Sequence, residues 1–191
     1  GVKPDEAARV AGLNRPKVDG LNKLMGYLGL QQRRELTPLG ALVLRHDRHL
    51  RDLGTLAIFH YLLCANKDAE VWHFASNRLV PANRRFTRDE FLEAVEDAGI
   101  GRGNTRLRAD QALFLNAYTS DEYHALQRLG YLSMSEKQGG TYQAHSIGNV
   151  PALILGFILY QQRMRGVQTR TISIRNVLTL EGQIGRIFLL Q

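Results

Sequence analysis

The first fifty residues show the clearest pattern of apolar and polar positions in the chain. Four apolar residues recur there at helical spacing: Val18, Leu21, Met25 and Leu28. This spacing predicts a helix that turns one face toward a core. Asn14 supplies a side-chain cap at its start, and Gly29 is the residue type that commonly ends a helix.

A short strand and a further helix are predicted next. Residues 33–36 have extended character, and Thr37 caps a helix that reaches about Arg45. A short helix over residues 4–10 precedes them. Helix, turn, helix and strand in this order are typical of a winged helix-turn-helix, a module that commonly binds DNA. We therefore predict a winged-helix-like unit over residues 1–50.

The middle of the chain is predicted to be helical. An apolar run predicts a helix over residues 52–65, and a second helix over 68–77 contains the single tryptophan, Trp72. A proline makes residues 78–85 loop-like. Residues 51–86 are therefore predicted to be connecting helices.

Residues 87–165 repeat the element order of the first unit. A capping box formed by Thr87 and Glu90 opens one helix, and a glycine-rich turn separates it from a helix over 105–118. A helix over 120–129 follows, and alternating residues on either side of two glycines predict a hairpin over 131–145. We predict a second winged-helix-like unit here.

The last segment, residues 166–191, predicts a partial third unit. A short helix begins after Ser173, and residues 186–190 have the composition of a strand. The expected fold class is therefore mostly α with small β-hairpins, arranged as two to three winged-helix-like units.

Composition narrows the class of protein and of partner. Hydrophobic residues make up 44% of the 191 positions, and 25 Lys and Arg against 18 Asp and Glu give a net charge of +7, which favours polyanionic partners. One cysteine, Cys64, excludes an internal disulfide. Without a signal peptide or a membrane-spanning run, we expect a cytoplasmic protein. The missing initiator Met and the apolar C-terminus lead us to expect a longer natural chain.

Basic side chains at the starts of two predicted helices are the candidate DNA-binding residues. A helix-turn-helix places the first residues of its second helix nearest the bases. The candidates are Arg15, Lys17, Lys23, Arg102, Thr105, Arg106 and Arg108. Solvated charges on incidentally basic surfaces would explain the same residues. The near-neutral hairpin tip at 136–138 counts against contact by that wing.

No catalytic or metal-binding constellation stands out. His60 and Cys64 lie four residues apart on an apolar helix, where core packing is the expected role. The acidic helix that includes Asp89 and Glu93 predicts a solvent-facing or partner-facing surface. We expect no enzyme activity, no metal and no cofactor.

Several segments together resemble the domain-of-unknown-function 4007 family. They are GLNRPKVDGLNKLMGYLGLQ, ELTPLGALVL, FTRDEFLEAV and SIRNVLTLEGQIGRIFLL, in this order. The resemblance implies a bacterial defence setting, often beside a phosphoadenylyl-sulfate-reductase-like enzyme of DNA phosphorothioation systems. It implies no catalytic residues.

The predicted function is that of a non-catalytic subunit that binds duplex DNA and positions such an enzyme. One alternative is a protein-interaction adaptor that binds a partner enzyme through its winged helices and a surface containing Asp89 and Glu93. A transcription regulator is the other, and it would require a symmetric dimer and a palindromic site.

Overall fold

The computed structural model describes residues 9, 12, 14–33, 35–100, 107–121, 125–135, 140–165, 171 and 173–190. Its internal contacts divide the chain into two compact units, Gly1–Leu50 and Arg51–Gln191. The described part is mostly helical with two small antiparallel sheets, so the predicted fold class is confirmed. The winged-helix assignment and the finer domain ranges within 51–191 stay predictions. No described helix is long and apolar enough to cross a bilayer.

In the first unit, helix α1 (Arg15–Tyr27) begins as the sequence predicts. The Asn14 side chain accepts a hydrogen bond from the Lys17 amide. Val18 and Leu28 are buried, but Leu21 is 49% exposed, so its predicted core role is wrong. Gly29 follows with a φ of +66°, a left-handed conformation that glycine adopts without steric cost.

A two-stranded hairpin connects α1 to helix α2 (Pro38–His46). Strands β1 (Gln31–Gln32) and β2 (Glu35–Leu36) pair antiparallel, with Gln32 opposite Glu35. Residues 33–36 were expected to form one strand. Instead, Arg33 lies in the turn and only Glu35 and Leu36 are extended, because β2 pairs with a strand that the sequence pattern does not indicate.

Thr37 anchors the base of this hairpin. Its hydroxyl donates to the Gly29 carbonyl at 2.6 Å and accepts from the Gly40 amide at 3.1 Å, while its own amide donates to Leu30 O at 3.0 Å. A Cβ at Gly40 would collide with the Leu30 carbonyl oxygen. The LTPLG segment (residues 36–40) therefore caps helix α2 and holds the base of the hairpin together, because the Thr37 hydroxyl contributes to both.

Helix α3 (Leu53–Ala65) is the central helix of the second unit. It starts where the Asp52 carboxylate accepts from the Thr55 amide, and eight of its thirteen residues are buried. A Cβ at Gly54 would lie 3.1 Å from a side-chain carbon of Ile154 in helix α8 (Ala152–Arg165). The two helices therefore pack closely at this glycine.

The next helical stretch runs past the predicted loop. Helix α4 (Glu70–Phe74) continues as a π-helical turn (Ala75–Leu79) into α5 (Val80–Ala82), so the loop expected at 78–85 is wrong for its first half. Proline at position 81 has no N–H to donate to Asn77 O. Arg186 Nε donates to that carbonyl instead, which allows the helical stretch to pass through the proline.

A three-stranded antiparallel sheet follows in the order β3-β5-β4. The pair β4 (Leu132–Ser135) and β5 (Thr141–Ala144) lies within the predicted hairpin, and β3 (Arg85–Phe86) adds to it through Phe86 opposite Tyr142. Helices α6 (Arg88–Asp97) and α7 (Leu107–Thr119) lie between β3 and β4 in sequence. The Thr87–Glu90 capping box is present at the start of α6.

Two elements near the C-terminus differ from expectation. Of the predicted helix over 120–129, the described part contains a 3-10 turn at Leu126–Leu129. Helix α9 (Ile174–Thr179) begins at Ser173 as predicted, but the strand expected at 186–190 is wrong, since Ile184–Ile187 forms helix α10. The apolar composition of that segment reflects burial: Ile187, Phe188 and Leu189 are all buried.

Candidate nucleic-acid interface

Positive charge is concentrated in the first unit. Residues 1–50 contain nine Lys and Arg against five Asp and Glu, a net charge of +4. Residues 51–191 contain sixteen against thirteen, a net charge of +3 on a unit almost three times as long. Because attraction to a polyanion depends on the local charge, the first unit is the stronger candidate interface.

Helix α1 presents the three cations predicted for this unit. Arg15 and Lys17 are exposed, and Lys23 is half-buried. Arg15 Nε lies 3.9 Å from Asp19 Oδ2, four residues along the helix, and Lys23 Nζ lies 5.6 Å from the centre of the Tyr27 ring. Asp19 offsets part of the charge of Arg15, and the residues of α1 together have a net charge of +2.

The hairpin tip adds a cation that the sequence analysis missed. Arg33 is exposed in the turn between β1 and β2 and has a φ of +49°. It makes no hydrogen bond or ion pair through its side chain with the residues that the structure describes. The available signal was the Arg33–Arg34 pair between two short polar segments, which fits a two-residue hairpin loop as well as a strand.

The second predicted basic segment is only partly described. Arg102, Thr105 and Arg106 lie outside the described residues. Arg108 is exposed near the start of α7, while Phe114 and Tyr118 farther along that helix are buried. Of this group, Arg108 is the residue that the structure describes, and it lies on the surface.

Helix α6, which precedes that segment, is strongly acidic. The predicted partner-facing residues Asp89 and Glu93 are both exposed on this helix. The exposed acidic residues of the helix are Asp89, Glu90, Glu93, Glu96 and Asp97, and Arg88 is its basic residue. Glu90 belongs to the capping box, and hydrogen bonds from Thr87 lower the pKa of its carboxyl group. This helix would repel a phosphate backbone and attract a basic protein surface.

His60 and Cys64, rejected as a metal pair from the sequence, lie fully buried in the core. His60 Nε2 lies 3.0 Å from Ile187 O, which can only accept, so Nε2 holds the proton and Nδ1 accepts from the Tyr118 hydroxyl at 2.6 Å. Burial lowers the pKa of His60 to about 4 and raises that of Cys64 to about 12. Both groups are therefore uncharged at neutral pH.

The described residues contain no group of three or more His, Cys, Asp or Glu arranged to hold a metal ion. Cys64 Sγ instead lies 2.9 Å from Ser76 Oγ, and the ring of His60 packs 4.6 Å, centre to centre, from that of Tyr131. The pair thus belongs to a buried polar cluster that joins α3 to the surrounding elements.

Comparison with solved structures identifies one similar fold. The chain resembles a magnesium ion-bound SspB crystal structure with a TM-score of 0.76 and 17% sequence identity, over 97% of this chain and 64% of SspB. The chain therefore spans less than two thirds of the length of SspB. At this identity the likeness extends to the fold alone.

Comparison of sequences gives the family. No curated protein matches the chain. The profile of a family described as "Protein of unknown function (DUF4007)" matches residues 22–191, which is most of the chain. The match includes three of the four segments that carry the resemblance and the second half of the first segment. The chain belongs to the DUF4007 family.

Proposed function

We propose that this protein is a DNA-binding accessory subunit of a bacterial DNA-modification system of the phosphorothioation type, or of a related phage-defence system. The observation that carries the proposal is the net charge of +4 on residues 1–50, where Arg15, Lys17 and Arg33 are exposed on a helix–hairpin–helix unit. Several cations on one small unit can neutralise several phosphates and release their counterions.

The element order supports the same function. In the first unit a helix leads directly into a hairpin whose base is held by Thr37. The recognition helix and wing of a winged helix follow one another in the same order. In the second unit a helix, a strand, two helices and two strands follow one another, and the first strand joins the sheet beside the last, in the order β3-β5-β4. We propose that both are winged-helix units.

A binding titration tests the proposal. Fluorescence anisotropy of a labelled random duplex should show log K falling with log [NaCl], with a slope of about −3 if three phosphates are contacted. The double reversal Arg15→Glu with Lys17→Glu should reduce the magnitude of that slope by about 2. The reversal Lys67→Glu with Arg175→Glu makes the same charge change on exposed residues of the second unit and should affect binding much less. Salt-independent or undetectable binding at ~50 mM NaCl contradicts the proposal.

The proposed role includes no catalysis by this chain. The buried His60 and Cys64 are uncharged at neutral pH, and neither is accessible to a substrate. Because the similar SspB structure is magnesium ion-bound, supercoiled plasmid incubated with the purified protein and Mg²⁺ is the appropriate test. We expect the plasmid to stay supercoiled; nicking that co-purifies with the protein through two further columns would make the chain an enzyme.

The acidic surface of α6 favours a second candidate function, an adaptor that binds a basic partner enzyme. Under that hypothesis Asp89→Lys with Glu93→Lys abolishes pull-down of the partner, for which a phosphoadenylyl-sulfate-reductase-like enzyme is the first choice from the family resemblance. The reversal Arg15→Glu with Lys17→Glu then leaves pull-down intact. The DNA-binding proposal predicts the opposite pattern for duplex binding, so the two variants separate the functions.

A further inference from the structure

The turn between β1 and β2 contains an arginine where glycine or asparagine would be easier to accommodate. Arg33 has a φ of +49°, in the left-handed region that side chains with a Cβ adopt at a steric cost. Two-residue hairpin loops favour Asn-Gly or Gly-Gly for this reason. Because arginine adopts this left-handed conformation at a steric cost, we expect its side chain to have a function at this position. Residues in such strained conformations are concentrated at functional sites.

The hairpin does not depend on this residue to hold its shape. Its base is fixed by the three hydrogen bonds of Thr37 and by the close contact between Gly40 and the Leu30 carbonyl. The turn is thus presented on a rigid support, and the exposed side chain of Arg33 extends from it. A cation held on a rigid narrow support loses little conformational freedom when it binds.

We propose that Arg33 enters the minor groove of A·T-rich duplex DNA. This inference rests on the proposed DNA-binding function. The minor groove is only about 6 Å wide, which admits a single side chain from a hairpin tip but not a helix. Where the groove narrows over A·T tracts its negative potential deepens, and the weakly hydrated guanidinium of arginine is the cation that such grooves attract. Gln31 and Gln32 before it are uncharged, and Arg34 follows it in the sequence.

The test measures binding and stability in the same variants. Wild type, Arg33→Gly and Arg48→Gly are titrated against duplexes with an A·T, a G·C or an inosine·cytosine core. Inosine lacks the guanine amino group, so an inosine·cytosine pair resembles A·T in the minor groove and G·C in the major groove. Arg48 is an exposed arginine in a loop of the same unit and controls for the lost charge.

Arg33→Gly should weaken binding to the A·T and inosine·cytosine duplexes about tenfold and remove their advantage over G·C. Its melting temperature should equal or exceed that of wild type, since glycine relieves the left-handed conformation. Arg48→Gly should lower affinity for all three duplexes equally. If Arg33→Gly weakened binding to all three duplexes equally, Arg33 would contact a phosphate and not the minor groove. That result would overturn the inference and leave the proposed function intact. If the wild type showed no salt-dependent binding, both the inference and the proposed function would be overturned. A lower melting temperature for Arg33→Gly would show that Arg33 stabilises the turn, and would also overturn the inference.

Discussion

At the scale of single residues, His60 is the group whose protonation matters most to the fold. Its ring is fully buried, donates to Ile187 O and accepts from Tyr118, so folding holds it in the neutral form. Its pKa of about 4 in the folded state lies below the ordinary value of 6.5. The unfolded chain therefore binds a proton at mildly acidic pH that the folded chain does not.

We predict that stability is complete above pH 6.5 and falls by about 3 kcal/mol between pH 6.5 and 4 through this residue. Urea unfolding at four pH values across this range measures the loss. His73, whose pKa burial also lowers, acts in the same direction, so the His60→Gln variant should lose most of the slope but not all. The prediction fails if the variant and the wild type have parallel pH profiles.

At the scale of elements, the LTPLG segment shows how a helix start and a hairpin depend on one another. Gly40→Ala would normally favour a helix by removing backbone freedom from the unfolded chain. Here the new Cβ would meet the Leu30 carbonyl oxygen, and β1 would have to move. We predict a loss of about 1–3 kcal/mol, seen as faster amide hydrogen exchange in residues 30–37.

Gly20→Ala is the matched control for that substitution. Gly20 lies inside α1, and a Cβ there meets nothing within 4 Å. The same chemical change should therefore stabilise the first unit by about 0.5–1 kcal/mol. If both substitutions stabilised the unit, the close approach of Gly40 to Leu30 would not be a constraint in solution.

Elements with local signals were predictable and those with distant partners were not. Asn14, Thr37, Asp52, Thr87 and Ser173 all cap the helices that follow them. Strand β3 has only two residues, and its partner β5 lies more than fifty positions away. A short apolar segment such as 186–190 is compatible with a buried strand or a buried helical turn, and periodicity alone cannot choose between them.

At the scale of the whole molecule, Asn77 joins parts of the second unit that are far apart in sequence. Its side-chain amide donates to Cys64 O and His73 O at 2.8 Å each, and its side-chain oxygen accepts from the Gly182 amide at 2.7 Å. These contacts connect α3, the π-helical turn and the segment between α9 and α10. The turn that interrupts the α-helix is thus the place where the C-terminal segment attaches.

We predict that Asn77→Leu destabilises the second unit by about 3 kcal/mol, since it keeps the volume but leaves buried backbone groups without partners. Chemical denaturation followed by Trp72 fluorescence measures this loss, because Trp72 lies in the same core. Asn116→Leu on the exposed face of α7 should change stability by less than about 0.5 kcal/mol. Similar losses in both variants would indicate that the Asn77 contacts contribute little.

For the candidate interface, as for the fold, the sequence predicted some features and not others. The sequence alone indicated the basic helix start with Arg15, Lys17 and Lys23, because charge and helical spacing are properties of neighbouring residues. The same helical spacing places Asp19 close to Arg15, four residues before it. The sequence did not indicate that Arg33 occupies a hairpin tip, because that depends on how the backbone turns.

By itself, then, the sequence determined the family, the mostly helical class and the starts of most helices, since caps, apolar spacing and turn residues act over a few positions. The tertiary structure decided the addition of β3 to the sheet, the passage of a helix through Pro81 and the exposure of Arg33. Each of these depends on a partner that is distant in sequence, such as Arg186 for the Asn77 carbonyl or Thr37 for the hairpin base. Helix α1 therefore stays a candidate DNA-binding element. The hairpin that follows it contributes Arg33, the cation that we propose enters the minor groove.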